Sequence, residues 1–311
     1  MIAHAKDTKV KRNKTIGYLT QNYEWYLFLI PGLVFLFLFD IMPMANITIA
    51  FKNIKGVVNL SSSPWVGLDH FYRMFADEAF FRVVRNTLII SLYKMIFILP
   101  LPLMLAILLN EVRIMAVKKI VQTFIYIPHF FTWVVVYSVF YIVFGSGGAV
   151  NTIITSLGGD PVLFFLKGSW FRFLLVISDA WHSVGWGTIM YLAAISAINS
   201  EVYEAAIVDG ANKFKQMVHI TLPCLLPTFV LMVSINLGHI MTSGFGQVLV
   251  FYNSTVYSVG DIISTYVYRT GLGQANFSYA TAVGLFNSVI GFILVILSNW
   301  LAKVTTGKSV W

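Results

Sequence analysis

Charge is what this sequence has least of. Only 11% of its 311 residues are Asp, Glu, Lys or Arg, against about 25% in a typical soluble domain. With 58% apolar residues beside so little charge, the chain cannot cover a soluble fold of this length with polar surface. Cysteine is nearly absent too. Cys224 stands alone, which permits no internal disulfide and no cysteine metal cluster. The six histidines are scattered, with no pair at metal-ligand spacing, so no metal site is expected. No GxxxxGK[ST] phosphate loop occurs, so this chain should not hydrolyse ATP by itself. Gly145-Ser146-Gly147-Gly148 lacks the lysine such a loop needs and reads as a turn. No set of paired catalytic residues stands out.

What the chain has instead is long apolar runs. Each is near the roughly 20 residues needed to cross the hydrocarbon of a bilayer. They are too long for barrel strands, and a helix satisfies its own backbone in lipid. The expectation is an all-α polytopic membrane protein with six transmembrane helices, over residues 25–51, 87–109, 121–144, 173–198, 222–244 and 280–301. The formal net charge of +8 would suggest nucleic acid in a soluble protein. Here much of the excess, Lys6, Lys9, Lys11, Arg12 and Lys14, precedes the first span. Positive residues beside a span stay in the cytoplasm, so no nucleic-acid partner is expected and membrane lipid is. The first apolar run is long and lacks a clear small-residue cleavage site, so it reads as a retained span.

An even number of spans puts both termini in the cytoplasm, with inner loops at 111–119 and 199–221. Lys118, Lys119, Lys213, Lys215, Lys303 and Lys308 fit that arrangement, whereas Arg73, Arg82 and Arg85 fall outside. The chain divides into a cytoplasmic segment (1–24), a first helix with its extracytoplasmic loop (25–85), a core (86–301) and a cytoplasmic tail (302–311). Short outer helices are expected from Asp69, as an N-cap, and over residues 259–268.

Polar residues inside spans are costly and carry functional hypotheses. Thr87, Ser91 and Lys94 form a stripe at helical spacing in the second span. Asp179, His182, Ser183 and Trp186 share a face of the fourth, at about the depth of Lys94. A Lys94–Asp179 ion pair would lower the burial cost of both, with Asp40 as a competing partner. Such a pair either glues helices together or lines a path for a solute. Asn236, His239 and Ser243 follow one face of the fifth span and suit sugar hydroxyls, or hydrogen bonds between helices. Thr281, Gly284, Ser288 and Gly291 in the sixth are small and suit helix packing.

The loop Glu204 to Pro223 interrupts this apolar pattern. Glu201 and Glu204 share a helical face. Ala205 and Ala206 let another backbone approach. Gly210 can take the positive φ that ends a helix. Leu222 and Pro223 suit the first turn of the next span. The order expected is helix, turn, short helix, span.

The sequence Glu204-Ala205-Ala206, then Asp209-Gly210, then Ile220-Thr221-Leu222-Pro223 resembles the coupling loop of permease subunits of binding-protein-dependent ATP-binding-cassette importers. The resemblance covers roughly residues 86–301. It implies a type I importer permease fold in a bacterial plasma (inner) membrane. It also implies that Glu204, Ala205, Ala206, Asp209 and Gly210 form a docking helix and turn, anchored by Leu222 and Pro223. The partners it implies are a second homologous permease, two ATPase subunits that use ATP and Mg, and an extracytoplasmic solute-binding protein. No cofactor is expected in this subunit. Arg85-Asn86-Thr87-Leu88, Tyr126-Ile127-Pro128-His129-Phe130, Asp179-Ala180-Trp181 and Asp261-Ile262-Ile263 resemble the carbohydrate branch, particularly its oligosaccharide importers. That branch carries an acidic residue before Gln247, where this chain has Gly246. The same fold importing amino acids, phosphate or polyamines is the alternative, ahead of a passive channel or a membrane enzyme. Within the carbohydrate reading, Lys94, Asp179, His182, Trp186, Asn236, His239 and Ser243 are the candidate substrate pathway.

Overall fold

The computed structural model describes residues 21–54, 63–238, 240–241 and 244–306. Apart from one isolated bridge between Lys52 and Trp65, the described residues form helices and turns. Five stretches among them are long and apolar enough to cross a membrane: Tyr23–Phe51, Glu78–Glu111, Trp133–Ser156, Lys213–Gly238 and Phe277–Val304. The remaining expected span coincides with a 29-residue helix, Gly168–Ser196. Its length suffices, but Asp179, His182 and Ser183 dilute its apolar content. It can carry them because it lies inside the bundle.

In chain order the helices are α1 (Tyr23–Leu36), α2 (Asp69–Ala76), α3 (Glu78–Phe97), α4 (Pro100–Glu111), α5 (Met115–Tyr126), α6 (Trp133–Phe144) and α7 (Ala149–Ser156). Then come α8 (Gly168–Ser196), α9 (Ser200–Val208), α10 (Lys213–Gln216), α11 (Leu222–Gly238) and α12 (Phe245–Phe251). The chain closes with α13 (Tyr257–Gly260), α14 (Ile263–Tyr268) and α15 (Phe277–Thr306). α8 packs along α4, α11 along α15, and α15 against the 3-10 segment Ala45–Phe51. Short helices α2, α7, α13 and α14 cap one end of the bundle; α9 stands at the other.

Several boundaries differ from expectation for local reasons. The second span starts at Glu78, because its first turns are polar and carry no hydropathy signal. Asp77 caps it, accepting from the Ala79 N–H at 2.8 Å. Asp69 is not an N-cap: the Leu68 carbonyl already accepts from Phe71 and Tyr72, so Asp69 is the first helical residue. Residues 121–144 are not one helix. Pro128 has no N–H to donate, the chain tightens into a 3-10 turn over Ile127–Phe130, and Thr132 starts α6 afresh. Residues 259–268 fall into two helices, parted by extended backbone at Asp261 and Ile262.

Two π turns have one cause. Phe37–Ile41 and Met217–Thr221 each end two residues before a proline, Pro43 and Pro223. A proline ring collides with the carbonyl four residues back. Those carbonyls, Phe39 and His219, lie in the π turns, where the wider loop moves them aside. The helix therefore runs without a break from Lys213 to Gly238, rather than restarting at Leu222.

Three buried clusters hold the bundle. Phe140, Phe165, Phe171, Leu174, Leu175 and Phe251 form the largest, beneath the capped end. Met74, Phe80, Val83, Tyr266 and Tyr279 join α2, α3, α14 and α15. Ala106, Ile107, Tyr191, Ile195 and Leu225 lie toward α9. Gly185 marks the closest helix crossing: a β-carbon there would overlap the Ile125 carbonyl oxygen of α5. Gly185→Ala should cost about 1–3 kcal/mol, because rigid backbone rather than a side chain must yield. A lower unfolding temperature of the purified protein would report it, and an unchanged one would refute this packing.

Asp77 also ties the cap together. Its Oδ2 accepts from Tyr266 at 2.8 Å and from Tyr279 at 3.1 Å. Burial pushes the Asp77 carboxyl up, but hydrogen bonds from Tyr266, the Ala79 N–H and Tyr279, with Arg73 nearby, outweigh it and hold the carboxyl below its ordinary 3.8. A depressed carboxylate stabilises fully above the unfolded value, and the benefit is lost as pH falls through the folded value. Below pH 3.8 the stability advantage of wild type over Asp77→Asn should therefore shrink. Unfolding measured at pH 7 and pH 3 checks this; a gap that widens in acid contradicts it.

Candidate functional site

The predicted ion pair is present. Lys94 Nζ of α3 lies 2.8 Å from Asp179 Oδ2 of α8. Asp40 does not compete; it sits in the first π turn, lining a groove with Asn287 and Ser288 of α15. Lys94 has a second partner that sequence reasoning missed. Gln247 of α12 is fully buried, and its Oε1 accepts from Lys94 at 2.5 Å. Its amide donates to the Leu175 carbonyl and to Ser178 Oγ, each at 2.7 Å. Asp179 also accepts from Ser183 Oγ at 2.5 Å. A buried charge pair persists only when its remaining hydrogen-bonding capacity is met, and these neighbours meet it. Only a three-dimensional signal could reveal Gln247, since 153 residues separate it from Lys94.

The rest of the polar stripe in α3 is structural. Thr87 Oγ1 donates to the Val83 carbonyl and accepts from the Ile263 N–H at 2.9 Å. Ser91 donates to the Ile240 carbonyl at 2.6 Å. These bonds fasten the cap and the end of α11 to α3.

The ion pair borders a cavity of about 290 Å³. Four of the predicted pathway residues line it: Lys94, Asp179, Trp186 and Asn236. His182 stands behind the wall. Its Nε2 is 3.2 Å from the Phe131 carbonyl oxygen, and its ring stacks on Trp133 at 4.3 Å. His239 and Ser243 lie outside the described residues. The cavity wall includes two residues not singled out for this role, His129 and Tyr191. His129 stacks on Trp186 with ring centroids 4.6 Å apart and planes 6° from parallel. The break before α6 is what places His129 there. The Tyr191 hydroxyl is buried and has no hydrogen-bond partner among the described residues. The cavity joins neutral hydrogen-bonding groups to flat aromatic faces, with its one lysine neutralised by its own aspartate.

The loop at the opposite end folds as a helix, turn and short helix. Asn199 caps α9 by accepting from the Glu201 N–H at 3.1 Å. Gly210 has φ +76°, the left-handed value its position requires. The Gly210 N–H donates to the Ile207 carbonyl and the Ala211 N–H to the Ala206 carbonyl, the paired bonds that close a helix at such a glycine. Asn212 then caps α10, and Tyr203 meets Thr221 at 2.8 Å, tying α9 to the span that follows. Glu204, Ala205, Asp209, Gly210, Leu222 and Pro223 are exposed and Ala206 is half-buried. Val208 is 87% exposed and Ile207 60%, an apolar tip that no other described residue covers.

The fold that carries this cavity and loop has counterparts among known proteins. The model of the binding-protein-dependent transport system inner membrane component family matches residues 98–306. The chain belongs to that family. As a family member it is an inner-membrane permease component, consistent with its apolar helices. Among its relatives, the polygalacturonan/rhamnogalacturonan transport system permease protein YteP of Bacillus subtilis is 43% identical, over 95% of this chain and 92% of its own length. Protein LplB of the same organism is 44% identical, over 90% of this chain and 89% of its own. A crystal structure of a bacterial ABC transporter involved in import of the acidic polysaccharide alginate contains a chain that superimposes with a TM-score of 0.88 at 36% identity, covering 94% of this chain and 99% of that one. A chain of the MetNI methionine ABC transporter shares the fold alone, with a TM-score of 0.52 at 14% identity.

Proposed function

We propose that this permease forms half of the membrane path of an ATP-driven importer, and that its cargo is a carbohydrate, an oligosaccharide. The observation that carries the reading is the union in one bundle of a neutral, aromatic-walled cavity and an exposed coupling loop. The polygalacturonan/rhamnogalacturonan permease YteP and the alginate importer support the class of cargo. Sugar rings offer hydroxyls to neutral hydrogen-bonding groups and apolar faces to aromatic rings, which is what Asn236, Tyr191, His129 and Trp186 provide. Lys94 and Asp179 set the floor of that path, and His182 steadies its aromatic wall.

In this reading α8 is the fourth of six spans, and both termini and the α9 loop are cytoplasmic. The chain divides at 1–24, 25–85, 86–301 and 302–311, with the coupling loop at 199–221. A second, homologous permease completes the path. Two ATPase subunits bind on the cytoplasmic side, one of them docking on α9 through Glu204, Ala205, Ala206, Asp209 and Gly210, and they supply ATP and Mg chemistry that this chain does not. A solute-binding protein delivers cargo at the capped end. Closure of the ATPases pulls on α9, and the continuous helix from Lys213 carries that motion to the cavity wall at Asn236. The cavity then opens alternately to each side.

Co-purification of the tagged protein from cells expressing the neighbouring transporter genes tests the assembly. An ATPase subunit should be recovered with wild type and lost when Glu204 and Gly210 are both replaced. Recovery that ignores those residues would remove α9 as the docking element.

A further inference from the structure

A second cavity, of about 700 Å³, opens on a different face of the bundle, between α3, α4 and α8. Its walls are apolar: Tyr93, Phe97 and Leu101 on one side, Phe173, Ile177 and Ala180 on the other. It runs along the helix axes. From Arg172 to Ala180 it follows α8 for about 12 Å, at 1.5 Å per residue. Its one charged lining residue, Arg172, stands at the capped end, together with Ser169.

Arg172 is held rigidly but not neutralised. Its Nε donates to the Val259 carbonyl and one terminal nitrogen to Asn86 Oδ1, each at 3.0 Å. Asn86 is itself fixed by donating to the carbonyls of Ser258 and Asp261, each at 3.2 Å. The next residue, Arg85, is exposed and near enough for its like charge to bear on Arg172. Among the described residues neither arginine has a carboxylate partner, and no acidic side chain lines the groove. Two adjacent cations at the rim of an apolar bundle need an anion, and that anion must tolerate an apolar channel directly below it. Arg85 is also one of the outward arginines that run against the charge bias of the sequence.

We propose that this groove binds an anionic phospholipid, its phosphate between Arg172 and Arg85 and one acyl chain along Phe97, Phe173, Ile177 and Ala180. Basic sites between transmembrane helices recognise anionic head groups in this way. The chain follows the helix axes as a bilayer lipid does, so the site is an annular lipid position made selective by two guanidinium groups. It is separate from the Lys94–Asp179 cavity, and it does not rest on the identity of the cargo.

Native mass spectrometry of the delipidated full-length protein, titrated with phosphatidylglycerol or phosphatidylcholine of the same chain length, tests this. Phosphatidylglycerol should bind at least tenfold more tightly. Arg85→Gln, a change at an exposed position, should remove at least fivefold of that preference. Ala180→Trp, which fills the groove, should weaken binding of both lipids. Millimolar inorganic phosphate should not displace the lipid. Equal binding of the two lipids, an undiminished preference in Arg85→Gln, or displacement by phosphate alone would each overturn the assignment. So would finding the groove filled by a partner subunit in the assembled complex.

Discussion

Asp179→Ala is expected to destabilise the permease by about 3–5 kcal/mol, the cost of leaving one member of a buried ion pair without its partner. Lys94 and Asp179 have side chains only 10% and 19% exposed, and Gln247 alone cannot neutralise the ammonium left behind. Three elements then loosen together, because Lys94 lies on α3, Asp179 on α8 and Gln247 on α12. Thermal unfolding of the purified protein should show the loss, and Asp179→Asn should lose less because it keeps hydrogen-bonding atoms in place. Replacing both partners by apolar residues, Lys94→Met with Asp179→Leu, should restore most of the stability, since a buried pair is often dispensable to a fold once both charges are gone. Transport should stay low in that double variant if the pair lines the cargo path. Exchanging the two residues separates the roles further. Full transport by the exchanged variant would make the pair a helix fastener and remove it from the path.

Gly210→Val should reduce transport and cargo-stimulated ATP hydrolysis at least tenfold while the protein still inserts and folds. A β-carbon at Gly210 would meet nothing within 4 Å, so the effect is conformational and not a clash. At φ +76° an L-residue costs about 1–2 kcal/mol, and a β-branched one is a clear outlier. The α9 tip would relieve that strain by turning, and its exposed Ile207 and Val208 would no longer face one direction. Gly210→Asn should keep most activity, because asparagine tolerates the left-handed region. Activity in Gly210→Val equal to wild type would mean that the geometry of this turn transmits nothing.

How much of this was readable beforehand follows from the range of each signal. Hydropathy located the spans because every turn of a lipid-facing helix must be apolar, and it missed the start of α3 because polar first turns project beyond that requirement. The left-handed Gly210 and the Lys94–Asp179 pair were legible from local chemistry: a glycine between two helical patterns, and opposite charges at matched depth. Pro128 carried the signal for the break at residues 131–132, but a proline in a span marks a kink as readily as a break. Gln247 was not legible as a partner of Lys94, nor His129 and Tyr191 as cavity residues. Each is an ordinary residue on an apolar helix or turn until folding brings distant segments together. Arg85 was visible as one exception to the charge bias, but its meaning depended on Arg172 and the groove beneath it.

The central claim is that motion driven by ATP at α9 moves an oligosaccharide past the Lys94–Asp179 cavity. Its most direct test is uptake of labelled oligosaccharides into vesicles holding this permease, its partner permease, the ATPases and the binding protein. With the binding protein outside, wild type should accumulate label only when ATP is enclosed in the vesicles on the side of the ATPases, and Gly210→Val should not. Uptake without ATP, or equal uptake by Gly210→Val, would contradict the account.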